Sequence, residues 1–78
     1  MEHELKILPQ YFMEVAQGKK PFELRKDDRD YKVGDTLKLK EWNGKEFTGS
    51  YATRLITYIL KDCHKYGLKK GFVIIGMT

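Results

Sequence analysis

The chain has 78 residues, of which 41% are hydrophobic and 33% charged, a composition typical of a globular protein rather than a disordered segment. A chain of this length is expected to form a single domain, residues 1–78, and excludes a nucleotide-binding α/β domain beside a substrate domain. The 15 basic and 11 acidic residues give a net charge of +4, which favours an anionic partner. Residues 1–39 carry eight charges of each sign, so the whole excess lies in residues 40–78.

The sequence lacks the residues that most metal sites and disulfides need. Cys63 is the only cysteine, and the two histidines, His3 and His64, lie far apart in sequence, so neither a disulfide nor a metal site is expected. The first residues, Met1–Glu4, are acidic where a signal peptide would be basic. The longest apolar run, Phe72–Met77, is too short to cross a bilayer. We therefore expect a cytoplasmic protein with no cofactor, metal or membrane partner.

The first part of the sequence predicts a strand followed by a short helix. Glu4–Leu8 is typical of a strand, with one face formed by His3, Leu5 and Ile7. Pro9 suits the first position of a helix because its missing N–H costs nothing there. Apolar residues at helical spacing give this helix one stripe, formed by Leu8, Phe12, Val15 and Ala16. Gly18 follows, at the position where a positive φ commonly ends a helix.

Several strands are predicted after the helix. Apolar and charged residues alternate in Phe22–Lys26, as in a half-buried strand, and alternate again in Thr36–Trp42. Asn43-Gly44 then predicts a hairpin. Gly49 indicates a bulge or bend before a long strand at about Tyr51–Leu60.

The end of the chain completes the predicted order of one strand, one helix and four more strands. Asp62–Gly71 is a basic loop with room for one helical turn, and Phe72–Gly76 is apolar on both faces, which places it centrally in a sheet. A chain this short has few helices to cover sheet edges, and closure removes those edges. The predicted fold is α+β and mainly β: a small closed β-barrel of five to six strands with one or two short helices.

The segment Gly18–Arg25 places three charges beside a tight turn. Glu23 and Arg25 are two residues apart in a predicted strand, so their side chains leave the same face about 7 Å apart. Lys20 lies close enough to join them. Two cations and a carboxylate that converge in this way can hold a phosphate, the edge of a base, or both. The alternative is a solvated ion-pair face that adds little to stability.

These residues and their spacing resemble the ASCH family of the PUA-like superfamily, and in particular a group of short PUA-like domains. The shared pattern covers nearly the whole chain and consists of His3-x-Leu5-Lys6, Phe22-Glu23-x-Arg25-Lys26, Gly34-Asp35, Ile56-Thr57-Tyr58 and Tyr66-Gly67-Leu68. The resemblance implies a PUA-like β-barrel that binds RNA. It also implies that the Gly18–Arg25 segment lines a cleft between the helix and the mouth of the barrel.

The resemblance makes Lys20, Glu23 and Arg25 the polar lining of that cleft. His3 is expected to face the same mouth if its strand is central in the sheet; the alternative is a structural or merely exposed histidine. Arg29 lies in a polar loop that can close over the cleft.

A second candidate surface is the strand that contains Lys38, Lys40 and Trp42, which share one face by the period of two. A cationic face with an indole at its end can follow an RNA backbone and stack one base. The alternative is that Trp42 plugs an end of the barrel while the lysines keep an edge soluble. Tyr51 and Tyr58 are expected in the core or in an interface.

Some ASCH-like proteins are amidohydrolases of acylated cytidines, which use the segment's lysine with a hydroxyl residue and a distant carboxylate. Lys20 matches the lysine, but Glu23 occupies the hydroxyl position, and Asp62 is the only acid near the place of the second carboxylate. We therefore expect a module that binds RNA or a nucleotide-like ligand, without a committed catalytic residue. The alternatives are a small amidohydrolase that uses Lys20 and Glu23, and a protein-interaction domain.

Overall fold

Five β-strands and one α-helix account for most of the chain, which the computed structural model describes over residues 1–78. The elements in chain order are β1 Glu2–Ile7, α1 Pro9–Ala16, β2 Phe22–Lys26, β3 Thr36–Trp42, β4 Phe47–Leu60, a 3₁₀ helix at Cys63–Tyr66 and β5 Phe72–Met77. The predicted fold class, α+β and mainly β, is confirmed, as is the helical turn before the last strand. No helix in the chain has the length and apolar character needed to span a membrane.

The strands form one mixed sheet in the order β1-β3-β4-β5-β2. β1 runs parallel to β3, and every other neighbouring pair is antiparallel. The long strand β4 belongs to both halves of the sheet, because its first part pairs with β3 and its last part with β5. β5 is an inner strand, as its apolar sequence predicts, and its buried residues are Val73, Ile75 and Met77.

The sheet is not closed into the predicted barrel, because the two edge strands, β1 and β2, do not pair with each other. Arg25 on β2 reaches across the gap, and its Nη2 donates a hydrogen bond to the backbone carbonyl of Lys6 on β1 at 2.6 Å. A side chain therefore makes the link that backbone pairing would make in a closed barrel. The gap that remains between the two edges is a cleft.

The core lies on the inner face of the sheet, where α1 packs. Buried apolar side chains come from every strand except β2: Leu5, Ile7, Leu37, Leu39, Ala52, Ile56, Val73, Ile75 and Met77. Val15 of α1 is buried and Phe12 packs beside it, as the apolar stripe predicts. Ala16 of the same stripe is exposed, and Leu8 lines the cleft instead. Nη2 of Arg54 fastens the end of α1 to β4 by donating to the carbonyl of Val15 at 2.9 Å.

The turns follow their predicted chemistry. Gly18 ends the region of α1 with a φ of 76°, a conformation that glycine adopts without strain. The β3–β4 hairpin forms at Asn43, whose Oδ1 accepts hydrogen bonds from the backbone N–H groups of Lys45 and Glu46. Gly49 lies where the β3–β4 register shifts, which confirms the predicted bulge.

Candidate functional site

The main cavity of the molecule is the cleft between the two sheet edges, with a volume of about 500 Å³. β1 and the start of α1 form one wall, and β2 with the turn before it forms the other. The lining residues are Lys6, Ile7, Leu8, Tyr11, Lys20, Phe22, Glu23, Leu24 and Arg25. The structure thus brings together the three residues proposed as a polar lining: Lys20, Glu23 and Arg25.

These three residues form one ion-pair cluster. Lys20 Nζ donates to Oε1 of Glu23 at 2.7 Å, and Arg25 Nε donates to Oε2 at 2.9 Å. Glu23 is only 3% exposed, so the cluster is not the solvated ion-pair face that the sequence left open. Burying a carboxylate is costly unless it is paired and hydrogen-bonded. The two cations therefore allow Glu23 to face inward.

β2 presents Glu23, rather than its apolar residues Phe22 and Leu24, to the interior of the protein. Residues that lie opposite each other on paired strands share a face of the sheet, and Glu23 lies opposite Ile75 of β5, which is fully buried. Glu23 and Arg25, which share a face of β2 by the period of two, are therefore on the inner face. Phe22 and Leu24, whose alternation suggests burial, are 44% and 46% exposed and form part of the cleft.

The ion-pair cluster presents hydrogen-bond donors to the cleft. Its two cations and one carboxylate give a net charge of +1, and both oxygens of Glu23 already accept a bond. Arg25 uses Nε for Glu23 and Nη2 for the carbonyl of Lys6, which leaves Nη1 free. The ammonium of Lys20 has two further N–H donors. Such donors suit an anionic group rich in acceptors, such as a phosphate or carboxylate.

Apart from Lys6, the rest of the cleft is apolar and aromatic. Leu8 and Tyr11 line it from the start of α1 and are both 45% exposed, facing Phe22 and Leu24 of β2. Lys20 Nζ lies 5.3 Å from the centre of the Tyr11 ring and 5.2 Å from that of Phe22, within the range of cation–π attraction. The cleft therefore joins a ring-lined apolar space to a cationic end.

Arg29 lies beside the ion-pair cluster and does not line the main cleft. It lines two smaller cavities that adjoin the cleft at Arg25. Its guanidinium makes no ion pair. The structure therefore places Arg29 beside the main cleft rather than over it, and closure of its loop over the cleft stays a prediction.

β1 is an edge strand rather than the central strand that the expectation for His3 required. His3 does not line the cleft, because it lies near the start of β1 whereas the cleft is lined by Lys6 and Ile7 at its end. Its Nε2 donates to Oδ2 of Asp35 at 2.8 Å, since an ionised carboxylate can only accept. Its ring packs edge to face on Tyr31, with ring centres 4.8 Å apart. At 4% exposure, His3 links β1 to the segment before β3, the structural alternative for this residue.

The hydrogen bond from His3 is the main cause that lowers the pKa of Asp35 from 3.8 to about 2. The Met1 amine, 3.1 Å from Oδ1, and the backbone N–H of Lys32, 3.2 Å from Oδ2, act in the same direction. A carboxylate whose pKa is lower in the folded state stabilises the fold above its unfolded pKa. That stability is lost as the pH falls through the folded value.

We expect Asp35→Asn to remove this pH dependence. The free energy of unfolding of the wild type should exceed that of the variant by a constant amount above about pH 5. The difference should shrink steadily between pH 4 and pH 2, where Asp35 becomes protonated. Urea unfolding of both proteins from pH 2 to pH 6 measures it. A difference that stays constant over this range would show that Asp35 does not gain its partners on folding.

Trp42 is half-buried on the outer face of the sheet and does not line the cleft. Its ring meets that of Phe47 edge to face at 5.0 Å, and Lys6 Nζ lies 4.1 Å from its centre. The face of Trp42 that meets Lys6 is therefore already occupied. Tyr51 and Tyr58 are both exposed, so neither lies in the core, and their place in an interface stays a prediction.

Tyr31 was not identified from the sequence as part of this region. It is 2% exposed, packs on His3, and lines one of the cavities beside Arg25. Burial raises the pKa of its hydroxyl, and the nearby Arg29 and Arg25 partly offset this. The sequence signal that could have indicated its burial is that Tyr31 is the one aromatic residue among the charged residues 25–32. For Tyr11, which lines the cleft from α1, the sequence carries no comparable signal.

Residues 2–77 match the family model described as "Domain of unknown function (DUF3850)". A protein of Escherichia phage P2, described as "Uncharacterized 12.9 kDa protein in GpA 3'region", is 49% identical over 55 residues, which are 70% of this chain and 50% of that protein. The chain thus spans about half the length of this curated relative. Because the family model covers nearly every residue, from the start of β1 to the end of β5, the chain belongs to the DUF3850 family.

Proposed function

We propose that this protein binds RNA, or a nucleotide-like ligand, in the cleft between β1 and β2. The phosphate of one nucleotide is held by Lys20 and Arg25, and its base lies against Tyr11 and Phe22. The observation that carries the proposal is the buried Glu23, which holds two cations at the end of a ring-lined cavity. A nucleotide has the matching chemistry, since it joins a flat ring to an anionic phosphate.

Glu23 supports the binding of an anion although it carries a negative charge itself. Both of its oxygens are engaged, so it fixes the positions of Lys20 and Arg25 and leaves their remaining donors free. The side chains of these two cations are only 17% and 25% exposed, and partly buried charges are screened less by water and salt. Cations held in place before binding lose less conformational entropy when the ligand arrives.

The resemblance of Gly18–Arg25 to the ASCH family, and through it to PUA-like RNA-binding modules, also supports this proposal. Binding is favoured over hydrolysis of an acylated cytidine, because no serine or threonine lines the cleft. Both oxygens of Glu23 accept hydrogen bonds from Lys20 and Arg25, so the carboxylate is engaged by these cations and does not face a nucleophile in the cleft. We therefore propose a binding module rather than an amidohydrolase.

Isothermal titration calorimetry with the four nucleoside 5′-monophosphates and a short single-stranded RNA tests this proposal. We expect Lys20→Ala to weaken binding of the best ligand at least tenfold, because a charge-assisted hydrogen bond contributes about 1.5–3 kcal/mol. Lys19→Ala is the matched control, since Lys19 is the preceding residue, has the same charge and does not line the cleft. It should change the affinity less than twofold.

Two results would contradict the proposal. One is the absence of binding of any of these ligands at millimolar concentration. The other is an equal loss of affinity in Lys19→Ala and Lys20→Ala, which would mean that general positive charge, and not the cleft, attracts the ligand.

A further inference from the structure

A second, more strongly charged depression adjoins the cleft. Two smaller cavities of about 420 and 170 Å³ adjoin it, and Arg25 lines all three. Arg29 lines both of the smaller cavities, and Lys6 lines the cleft and the larger of them. We call these two smaller cavities together the basic groove. The cleft and the basic groove thus share Arg25 and Lys6 as lining residues and adjoin each other at the hydrogen bond between these two.

The basic groove carries an excess of positive charge, of which the fold neutralises only a part, because Arg25 pairs with Glu23 of the cleft. Its cations are Lys6, Arg25, Lys26, Arg29 and Lys40, and its acids are Glu4 and Asp28, so five positive and two negative charges leave +3. Lys40 pairs with Glu4 at 3.4 Å. Lys6, Lys26 and Arg29 have no carboxylate partner.

We infer that the cleft and the basic groove together bind single-stranded RNA, with one base in the cleft and the neighbouring phosphates along the groove. The inference rests on the proposed function, because it assigns a polymeric ligand to the same site. A mononucleotide in the cleft would meet Lys20 and Arg25 but leave Lys26 and Arg29, which have no carboxylate partner, without an anion. An RNA strand that continues past Arg25 supplies one phosphate for each further nucleotide, and these phosphates meet the cations of the basic groove.

The shape of the cleft selects a single strand over a duplex. The ring-lined part of the cleft lies between two sheet edges. A base can therefore enter this part only when the base is unpaired and unstacked. Sequence-tolerant binding of single strands commonly combines a cationic groove with aromatic side chains. Here Tyr11 and Phe22 provide the rings, and Arg29 stands where the strand leaves the cleft.

The experiment compares uridine 5′-monophosphate with a 5′-phosphorylated uridine trinucleotide, in calorimetric titrations at 50 and 200 mM salt. We expect the trinucleotide to bind at least tenfold more tightly. In Arg29→Ala the ratio of the two affinities should fall at least threefold, and the slope of log K against log salt should decrease by about 0.7 for the trinucleotide. Lys65→Ala is the control, because Lys65 is exposed and lines none of the three cavities.

The outcomes separate this inference from the proposed function. If the mononucleotide binds and depends on Lys20, but the trinucleotide binds no more tightly, the polymeric ligand is excluded while the nucleotide site remains. If neither ligand binds, both proposals are wrong. A uridine–adenosine duplex that binds as tightly as its single strands at the same salt concentration would also overturn the inference, since paired bases do not enter the cleft.

Discussion

Replacing Arg25 with alanine is expected to lower the free energy of unfolding by about 2–3 kcal/mol. Two acceptors lose their donor: Oε2 of Glu23 and the backbone carbonyl of Lys6. Removing one partner of a buried ion pair costs about 3–5 kcal/mol. The expected loss is smaller here because the Arg25 side chain is 25% exposed, so water can replace part of its bonding. Urea unfolding followed by Trp42 fluorescence measures the change.

Lys26→Ala is the matched control for this prediction. Lys26 is the next residue of β2, is exposed and makes no ion pair, so its replacement should change the free energy of unfolding by less than about 0.5 kcal/mol. A double-mutant cycle of Arg25→Ala with Glu23→Gln then isolates the energy of the Glu23–Arg25 contact. Equal losses in the Arg25 and Lys26 variants would contradict the view that Arg25 holds Glu23 in its buried position.

The features of the fold that the sequence predicted correctly depend on local chemistry. Pro9 begins α1 and Gly18 lies just after its end, because each residue has a backbone preference that needs no distant partner. Asn43 forms the hairpin by accepting bonds from its own neighbours in the chain. Gly49 permits the bulge in β4 for the same kind of reason. Such signals act within a few residues, so a single sequence displays them directly.

The orientation of β2 could not be read from the same sequence, because it depends on distant partners. Alternation shows that Phe22 and Leu24 share one face and Glu23 the other, but it does not show which face is inside. Burial of the apolar face is the usual result. Here the inner face carries Glu23, which Lys20 and Arg25 neutralise. The openness of the sheet has the same origin, since Arg25 also makes the link between the edge strands.

The placement of His3 depended on strand order, which local patterns do not specify. The parallel pairing of β1 with β3 brings His3 next to Asp35, 32 residues away in sequence. If β1 were a central strand, His3 would have a paired strand on each side instead of β3 alone. The three residues of the ion-pair cluster, by contrast, lie within six consecutive positions, so their proximity could be predicted from strand geometry for Glu23 and Arg25 and from the short separation for Lys20.

The ion-pair cluster is expected to serve ligand binding more than stability, and a charge-free variant separates the two roles. In Lys20→Met, Glu23→Leu and Arg25→Met combined, apolar side chains of similar size replace all three charges. The free energy of unfolding should equal the wild-type value or exceed it by about 1–3 kcal/mol, because a buried ion pair seldom outperforms well-packed apolar residues. Nucleotide affinity should fall at least 100-fold, since two charge-assisted hydrogen bonds together contribute about 3 kcal/mol or more.

Comparison of the triple variant with Arg25→Ala shows whether the loss of stability comes from leaving the buried carboxylate of Glu23 unpaired. The single variant leaves a buried carboxylate with one partner fewer and should unfold more easily, whereas the triple variant removes the carboxylate together with both cations and should not. The carbonyl of Lys6 loses its donor in both variants, but that hydrogen bond is exposed and water can replace it. A triple variant that loses several kcal/mol would mean that the cluster is needed to hold β2 in place. A triple variant that keeps its fold and its ligand would place binding outside the cleft. Stability without binding is the result expected if Glu23 is buried in order to position Lys20 and Arg25 for an anion.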